Sequence, residues 1–193
     1  IVSCSWLGFA KEEDLLLLAG ANATDRIKDE TSSSMQVLQA QDGKTRWKRA
    51  GDLRHNGPPV LYHGIVLTTP TSYKENAGAF QLRDGKPHTI TNALTGGLQA
   101  WKVYRNYGCN APIAAEHLMT FRSGAAGFYD LENHAGTGNL GGFKSSCSAN
   151  LIVANGVLNA PDYTRTCSCP YQNQTSLAFV PMPEVEMWTC NFS

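Results

Sequence analysis

Two eight-residue stretches of this chain repeat one another, and the repeat limits its fold more than any figure of composition. Val37-Leu38-Gln39-Ala40-Gln41-Asp42-Gly43-Lys44 is echoed 42 residues later by Ala79-Phe80-Gln81-Leu82-Arg83-Asp84-Gly85-Lys86. In both, an extended run enters an Asp-Gly-Lys turn, where Gly takes a backbone conformation that a side chain resists. A unit of about 40–45 residues built from strands and a Gly turn cannot bury its apolar face alone, so it has to stack on copies of itself.

The hairpins within the units align as well. Gly64-Ile65-Val66-Leu67-Thr68 matches Gly156-Val157-Leu158-Asn159-Ala160, and His117-Leu118-Met119-Thr120-Phe121 sits between them. Each follows a short β-rich run, at Pro59–Tyr62, Pro112–Ala115 and Ala149–Val153. Apolar runs split by a tight turn read as hairpins buried on both faces. In the first unit Trp6-Leu7-Gly8-Phe9-Ala10 passes through Lys11-Glu12-Glu13-Asp14 into Leu15-Leu16-Leu17-Leu18-Ala19. Lys11 to Leu18 has the composition of a helix, yet the repeat requires two strands there. The fold class is therefore all-β: a β-propeller of four-stranded antiparallel blades, about four in this chain, forming a single domain. The expected blades, each of strands A to D, cover about 5–49, 58–103, 110–144 and 148–189. The polar stretches Ala21 to Ser34 and Pro161 to Thr175 fall between strands B and C.

Charge excludes some partners. Sixteen basic and sixteen acidic side chains cancel, so nothing marks a nucleic-acid or anionic-membrane surface. The longest apolar run, Leu15 to Ala19, is strand-sized and far short of a membrane span. The chain opens on Ile1 rather than Met, as a processed or trimmed chain would. Six cysteines, Cys4, Cys109, Cys147, Cys167, Cys169 and Cys190, occur without a Cys-x-x-Cys spacing. Cys167-Ser168-Cys169 is too tight for the usual zinc knuckle. Disulfides in a secreted or periplasmic protein are the expectation. In a four-strand blade the D-to-A and B-to-C loops share one face of the disc, and all six cysteines fall in or beside such loops. Cys167 and Cys169 would then pair with Cys109 and Cys147 in either order, leaving Cys4 and Cys190 to clasp the first blade to the last.

These residues resemble the quinoprotein-type (pyrroloquinoline-quinone-like) β-propeller repeat, whose pattern is Ala-x-Asp-x-x-Thr-Gly-Lys-x-x-Trp. Val37, Gln39, Asp42, Gly43, Lys44 and Trp47 follow it, with Gln39 for the Asp and Asp42 for the Thr. Ala79, Gln81, Asp84, Gly85 and Lys86 follow it with Thr89 at the Trp position, and Asp130 keeps the Asp ahead of a turn stretched to Asn133-His134-Ala135-Gly136. In this family the Trp docks onto the neighbouring blade. Trp6-Leu7-Gly8-Phe9, Arg122-Ser123-Gly124, Gly127-Phe128-Tyr129-Asp130-Leu131 and Cys167-Ser168-Cys169-Pro170-Tyr171 resemble exported propellers of the planctomycete type. The resemblance implies an architecture and little chemistry, and such propellers close with seven or eight blades, so four implies a segment or a compact ring.

Enzymes on this fold give the alternative reading. A quinone-dependent dehydrogenase stacks its cofactor between a Trp and an adjacent Cys-Cys disulfide and uses Ca²⁺ with a catalytic Asp. No adjacent Cys pair occurs in the sequence, although Asn159 and Asp162 lie near the rim. A propeller lyase needs a His or Tyr base and an Arg or His to neutralise a uronate, for which His63, His117, Arg122, Tyr62 and Tyr73 are the material. Gly-x-Ser-x-Gly is absent, and the glycine run 136–142 lacks a phosphate-loop ending, reading instead as a C–D turn. No cofactor is expected except pyrroloquinoline quinone with calcium under the dehydrogenase alternative. The favoured function is a binding or scaffold module without a catalytic site. Its loops, with Arg54, His55, Asn56, Tyr73, Arg122, Asp162 and Arg165 as candidate contacts, would hold a carbohydrate or protein partner on one face of the disc. Further blades or a second chain could complete the ring.

Overall fold

The Asp-Gly-Lys repeat is reproduced bond for bond. The computed structural model of the chain describes residues 6–20, 33–53, 59–70, 72–141, 143, 151–161 and 176–183. At the first turn Gln39 N–H donates to Lys44 O at 2.8 Å, Gly43 N–H to Gln39 O at 2.9 Å and Lys44 N–H to Asp42 Oδ1 at 3.0 Å. At the second, Gln81 N–H donates to Lys86 O at 2.8 Å, Gly85 N–H to Gln81 O at 2.8 Å and Lys86 N–H to Asp84 Oδ1 at 3.0 Å. Gly43 and Gly85 hold φ of 69° and 70°, the left-handed region that a Cβ disfavours.

Every named element among the described residues is a strand. Sheet one is the antiparallel meander β1 (Trp6–Ala10), β2 (Leu15–Ala19), β3 (Ser33–Gln39) and β4 (Thr45–Leu53). The hairpin reading of its first two strands is right, with Trp6 opposite Ala19 and Ala10 opposite Leu15. Sheet two joins β5 (Val60–Tyr62), β6 (Ile65–Leu67) and β8 (Ala79–Gln81). Around it lie two small ribbons: β7 (Lys74–Glu75) with β11 (Tyr104–Arg105), and β9 (Thr89–Thr91) with β10 (Leu98–Ala100). Sheet three is again a four-stranded meander, β12 (Ile113–Ala114), β13 (Leu118–Ser123), β14 (Ala125–Asp130) and β15 (Thr137–Asn139). Sheet four has β16 (Ile152–Ala154), β17 (Val157–Ala160) and β18 (Leu177–Phe179). The expected pairings of β5 with β6 and of β16 with β17 are present.

Consecutive sheets pack face to face, as propeller blades do. Leu15, Leu17, Ala19, Met35 and Val37 of sheet one meet Val66, Phe80 and Leu82 of sheet two. Leu67 and Ala79 on the other face of sheet two meet Met119, Phe121, Tyr129 and Leu131 of sheet three. Ala126 of sheet three then meets Leu151 and Ala160 of sheet four. Period-two alternation makes this possible, because each strand offers one apolar set to each neighbour. Trp47 locks the first junction, its Nε1–H donating to Leu82 O at 2.6 Å while its ring lies over Gly85, where a Cβ would come within 2.8 Å of it.

One bond recurs in three sheets: Ala40 N–H to Asp14 O at 3.0 Å, Leu82 N–H to Gly64 O at 2.9 Å and Leu131 N–H to His117 O at 2.8 Å. It ties each C–D turn to the A–B turn of the same sheet. Those turns form one face of the stack, the turn face, and the described residues of the B–C and D–A loops lie on the other, the loop face.

Two expectations need correction. Sheet two lacks a full fourth strand: Pro87 bridges to Phe80, His88 N–H donates to Ala79 O at 2.8 Å, and the chain then leaves the sheet. Pro87 has no N–H to extend the ladder. Thr89, expected at the docking Trp position, is an exposed residue of β9, and the tryptophan buried in this unit is Trp101. The glycine run 136–142 is not the C–D turn either, since β15 runs through Thr137–Asn139 and pairs with β14. The turn occupies residues 131–136, held by Asp130 Oδ1, which accepts the N–H groups of Glu132 and Asn133 at 2.9 Å. No helix among the described residues is long and apolar enough to cross a membrane.

Candidate ligand-binding face

Strand alternation through Trp101, Val103 and Arg105 sends all three inward, with Lys102 and Tyr104 outward. Arg105 is thus fully buried on the loop face. Its Nε–H donates to Arg122 O at 2.6 Å, its Nη2 to Asn110 O at 2.6 Å and Asn110 Oδ1 at 2.8 Å, and its Nη1 to Pro70 O at 3.4 Å. One planar fork therefore fastens three segments: the B–C loop of sheet two, the connection into sheet three and the B–C turn of sheet three. Asn110 Oδ1 also accepts Arg122 N–H at 2.9 Å. Gly108 has no space for a side chain, since a Cβ there would overlap Arg122 O and come within 2.7 Å of Arg105 Nη2.

Aromatic side chains rest on this base. Arg122 is buried, and its guanidinium carbon lies 5.0 Å from the centroid of the Tyr107 ring, a cation–π distance. Tyr107 is fixed at its backbone by Gly124 N–H, which donates to Tyr107 O at 2.5 Å. Beside it stands Tyr73, with ring centroids 6.1 Å apart and planes tilted by 43°. Tyr73 is 62% exposed and Tyr107 39%. Tyr73 also holds φ 57°, a left-handed conformation that costs a bulky residue about 1 kcal/mol. Two tyrosines held apart from solvent collapse by a rigid floor can stack on a sugar ring or on a partner's side chain.

Of the candidate contacts, the structure brings Tyr73 and Arg122 together, with Arg122 beneath the surface rather than on it. Arg54, His55, Asn56, Asp162 and Arg165 lie outside the described residues. Asn76, next to β7, is a buried corner, its Nδ2 donating to Thr68 O at 2.7 Å and its Oδ1 accepting Val103 N–H at 3.0 Å. Tyr107, Arg105 and Asn110 were not singled out from the sequence. The alternation of Trp101, Val103 and Arg105 is the signal that would have marked Arg105 as inward-facing.

The lyase set is divided between the two faces. Tyr62, His63 and His117 sit at A–B turns, with Tyr62 Oη donating to Glu116 O at 2.8 Å, His63 Nε2 lying 3.0 Å from Glu116 Oε1 and His117 Nδ1 3.4 Å from Glu132 Oε2. Burial, and then the charges of Glu116 and Glu132, raise the Tyr62 hydroxyl above the usual tyrosine value. Arg122 and Tyr73 are across the stack on the loop face. Of the tryptophans that could shelve a quinone, Trp6 lies across Gly8, Trp47 over Gly85, and Trp101 is buried against Tyr129 at 5.4 Å in an edge-to-face contact, while Trp188 lies outside the described residues. No group of three His, Cys, Asp or Glu among the described residues could hold a metal ion. Cys109 is a buried free thiol, with Sγ 3.7 Å from Tyr107 Oη. Its expected partners Cys147, Cys167 and Cys169, together with Cys4 and Cys190, lie outside the described residues.

No protein-family model and no curated relative matches the chain. Among solved structures, the crystal structure of BamB from Moraxella catarrhalis aligns with a TM-score of 0.47 and 13% identity, over 83% of this chain and 46% of that one. This chain thus spans less than half the length of that protein.

Proposed function

We propose that the chain is a binding module that takes a protein or carbohydrate partner on its loop face, acting outside the cytoplasm and needing no cofactor. Tyr73 and Tyr107 are the contact residues, and Arg105, Arg122 and Asn110 hold them in place. The observation that carries the reading is the exposed tyrosine pair on a floor of buried arginines, with Tyr73 at φ 57°. A strained, exposed aromatic residue on an over-determined base is what a recognition surface needs, because little freedom is lost on binding. The six cysteines and the Gly- and Ser-rich loops favour a secreted or periplasmic setting.

An immobilised panel of oligosaccharides and extracytoplasmic peptides tests this. The reading expects retention of at least one class by the native chain and loss of it in Tyr73→Ala. Retention unchanged in both Tyr73→Ala and Tyr107→Ala would rule out this face. A quinone absorbance band in the purified protein would replace the reading with an oxidoreductase.

A further inference from the structure

Four of the chain's five histidines, His63, His88, His117 and His134, lie at or near the turn face where sheet two meets sheet three, and the fifth, His55, lies outside the described residues. The four are of two kinds. His63 and His117 are exposed and each faces a carboxylate, Glu116 at 3.0 Å and Glu132 at 3.4 Å. His88 and His134 are half-buried, and among the described residues no carboxylate lies within ion-pair distance of either. They stand instead near one another, His88 just past Pro87 at the end of sheet two and His134 in the C–D turn of sheet three, close enough for the charge of His134 to act on His88.

The surroundings of His88 suit its neutral form. Gln81 Nε2 donates to His88 Nδ1 at 3.1 Å, and a proton on that nitrogen would set donor against donor. His88 also joins two elements through its backbone: its N–H donates to Ala79 O at 2.8 Å, and its carbonyl accepts Trp101 N–H at 3.1 Å. The ribbon of β9 and β10 is hung on sheet two by these bonds. On the side of sheet three, Tyr129 Oη lies 3.4 Å from His134 Nδ1, and the Tyr129 ring packs on Trp101. Asp130 is the carboxylate whose charge interacts with His134, and its oxygens already accept the N–H groups of Glu132 and Asn133 and the Nδ2 of Asn133.

We propose that His88 and His134 form an acid-sensitive latch. While both are neutral, the ribbon is held on sheet two beside sheet three. When both are protonated, their repulsion loosens the ribbon, and the Arg105 fork keeps the two sheets joined on the loop face. Burial, and then the charge of His134, hold His88 below the ordinary histidine value of 6.5. The folded chain thus takes this proton less readily than the unfolded chain, so the latch is complete above 6.5 and is lost as pH falls through the lower folded value. The pair of His63 with Glu116 works in the opposite sense, gaining attraction when the imidazole is charged, but a pair this exposed adds little.

Amide exchange of the full chain at about pH 7.5 and about pH 5.5, on either side of the histidine range and corrected for the intrinsic pH dependence, tests the proposal. The expected result is faster exchange of the His88 and Trp101 N–H groups at the lower pH, with those of Arg122 and Gly124 on the loop face as protected as before. His134→Asn, where Asn accepts the left-handed φ of 52°, and His88→Gln should each abolish the acceleration at Trp101, and His63→Gln should leave it. Equal exchange at the two pH values overturns the latch. Acceleration that persists in His134→Asn overturns the pairing of the two histidines. Acceleration that extends equally to Arg122 and Gly124 is general acid unfolding and overturns the proposal as well.

Discussion

The turn face and the loop face are built from the same sheets and could hardly differ more. On the turn face one bond between the C–D and A–B turns recurs in three sheets, and two Asp-Gly-Lys turns share three bonds to within 0.1 Å. Its charged groups pair locally, as Lys44 with Asp42 at 2.6 Å and Lys86 with Asp84 at 2.9 Å. Among the described residues of the loop face no such bond recurs. There a single buried arginine ties three non-equivalent segments together, and two tyrosines stand exposed above it. Repetition is where the chain secures its architecture; the departure from it carries the face proposed above to bind a partner.

The largest expected effect comes from Gly108→Ala. Its Cβ would overlap the Arg122 carbonyl, a backbone atom that cannot swing away, so the loss should reach about 3 kcal/mol in denaturant unfolding. The companion Gly43→Ala, in open space at φ 69°, should lose about 1 kcal/mol from strain alone. Equal effects would mean that the loop face is as forgiving as the turn face. Arg105→Met comes next, because it leaves the buried carbonyls of Arg122 and Asn110 without their donor, at about 2 kcal/mol. A melting temperature unchanged by it would deny the arginine its fastening role.

Trp47→Phe should cost about 1 kcal/mol through the lost bond to Leu82 O, whereas Thr89→Ala, exposed at the corresponding place in the second repeat, should be close to neutral. The smallest effect is acid sensitivity on the turn face. Lys44 holds the Asp42 carboxyl below its ordinary value, Lys86 does so for Asp84, and the Asn133 N–H for Asp130. Each group is more acidic folded than unfolded, so its contribution is complete above the ordinary value of 3.8 and is lost as pH falls through the lower folded value. Asp42→Asn should shallow the fall in stability below about pH 4; an unaltered slope there would remove that carboxylate from the account. At the alkaline end burial pushes Tyr129 up to about 12, so its stabilisation is full below about 10 and is lost as pH rises towards 12. Tyr129→Phe should flatten that limb.

Much of the architecture could be read from the chain, because the A–B hairpins and Asp-Gly-Lys turns are local signals that each unit repeats. Sheet two defeated the reading at Pro87, where a missing N–H ends the strand and an inserted hairpin carries the chain to Trp101. That hairpin hides a further copy of the turn. Asn92 N–H donates to Gly97 O at 2.8 Å and Gly96 N–H to Asn92 O at 2.9 Å, with Gly96 at φ 68°. Asn92-Ala93-Leu94-Thr95-Gly96-Gly97 has Asn92 in the place of Gln39, Thr95 in that of Asp42 and Gly97 in that of Lys44, so it lacks both the Asp and the Lys that mark the other two turns. The site was less legible. Tyr73 stood out as an aromatic in a loop, but Tyr107 and Asn110 reach it only through the tertiary fork of Arg105, which no sequence spacing encodes.

The central claim is that the tyrosine pair on the loop face, and not the charged turn face, meets the partner. The direct test is the affinity of the native chain for whichever panel member it retains, measured beside Tyr73→Ala, Tyr107→Ala, His63→Ala and His117→Ala. The two tyrosine variants should each weaken binding about tenfold or more with melting temperatures close to native, and the two histidine variants should bind as the native chain does. Full affinity in both tyrosine variants, or a loss confined to His63→Ala and His117→Ala, would contradict the account and move the site to the turn face.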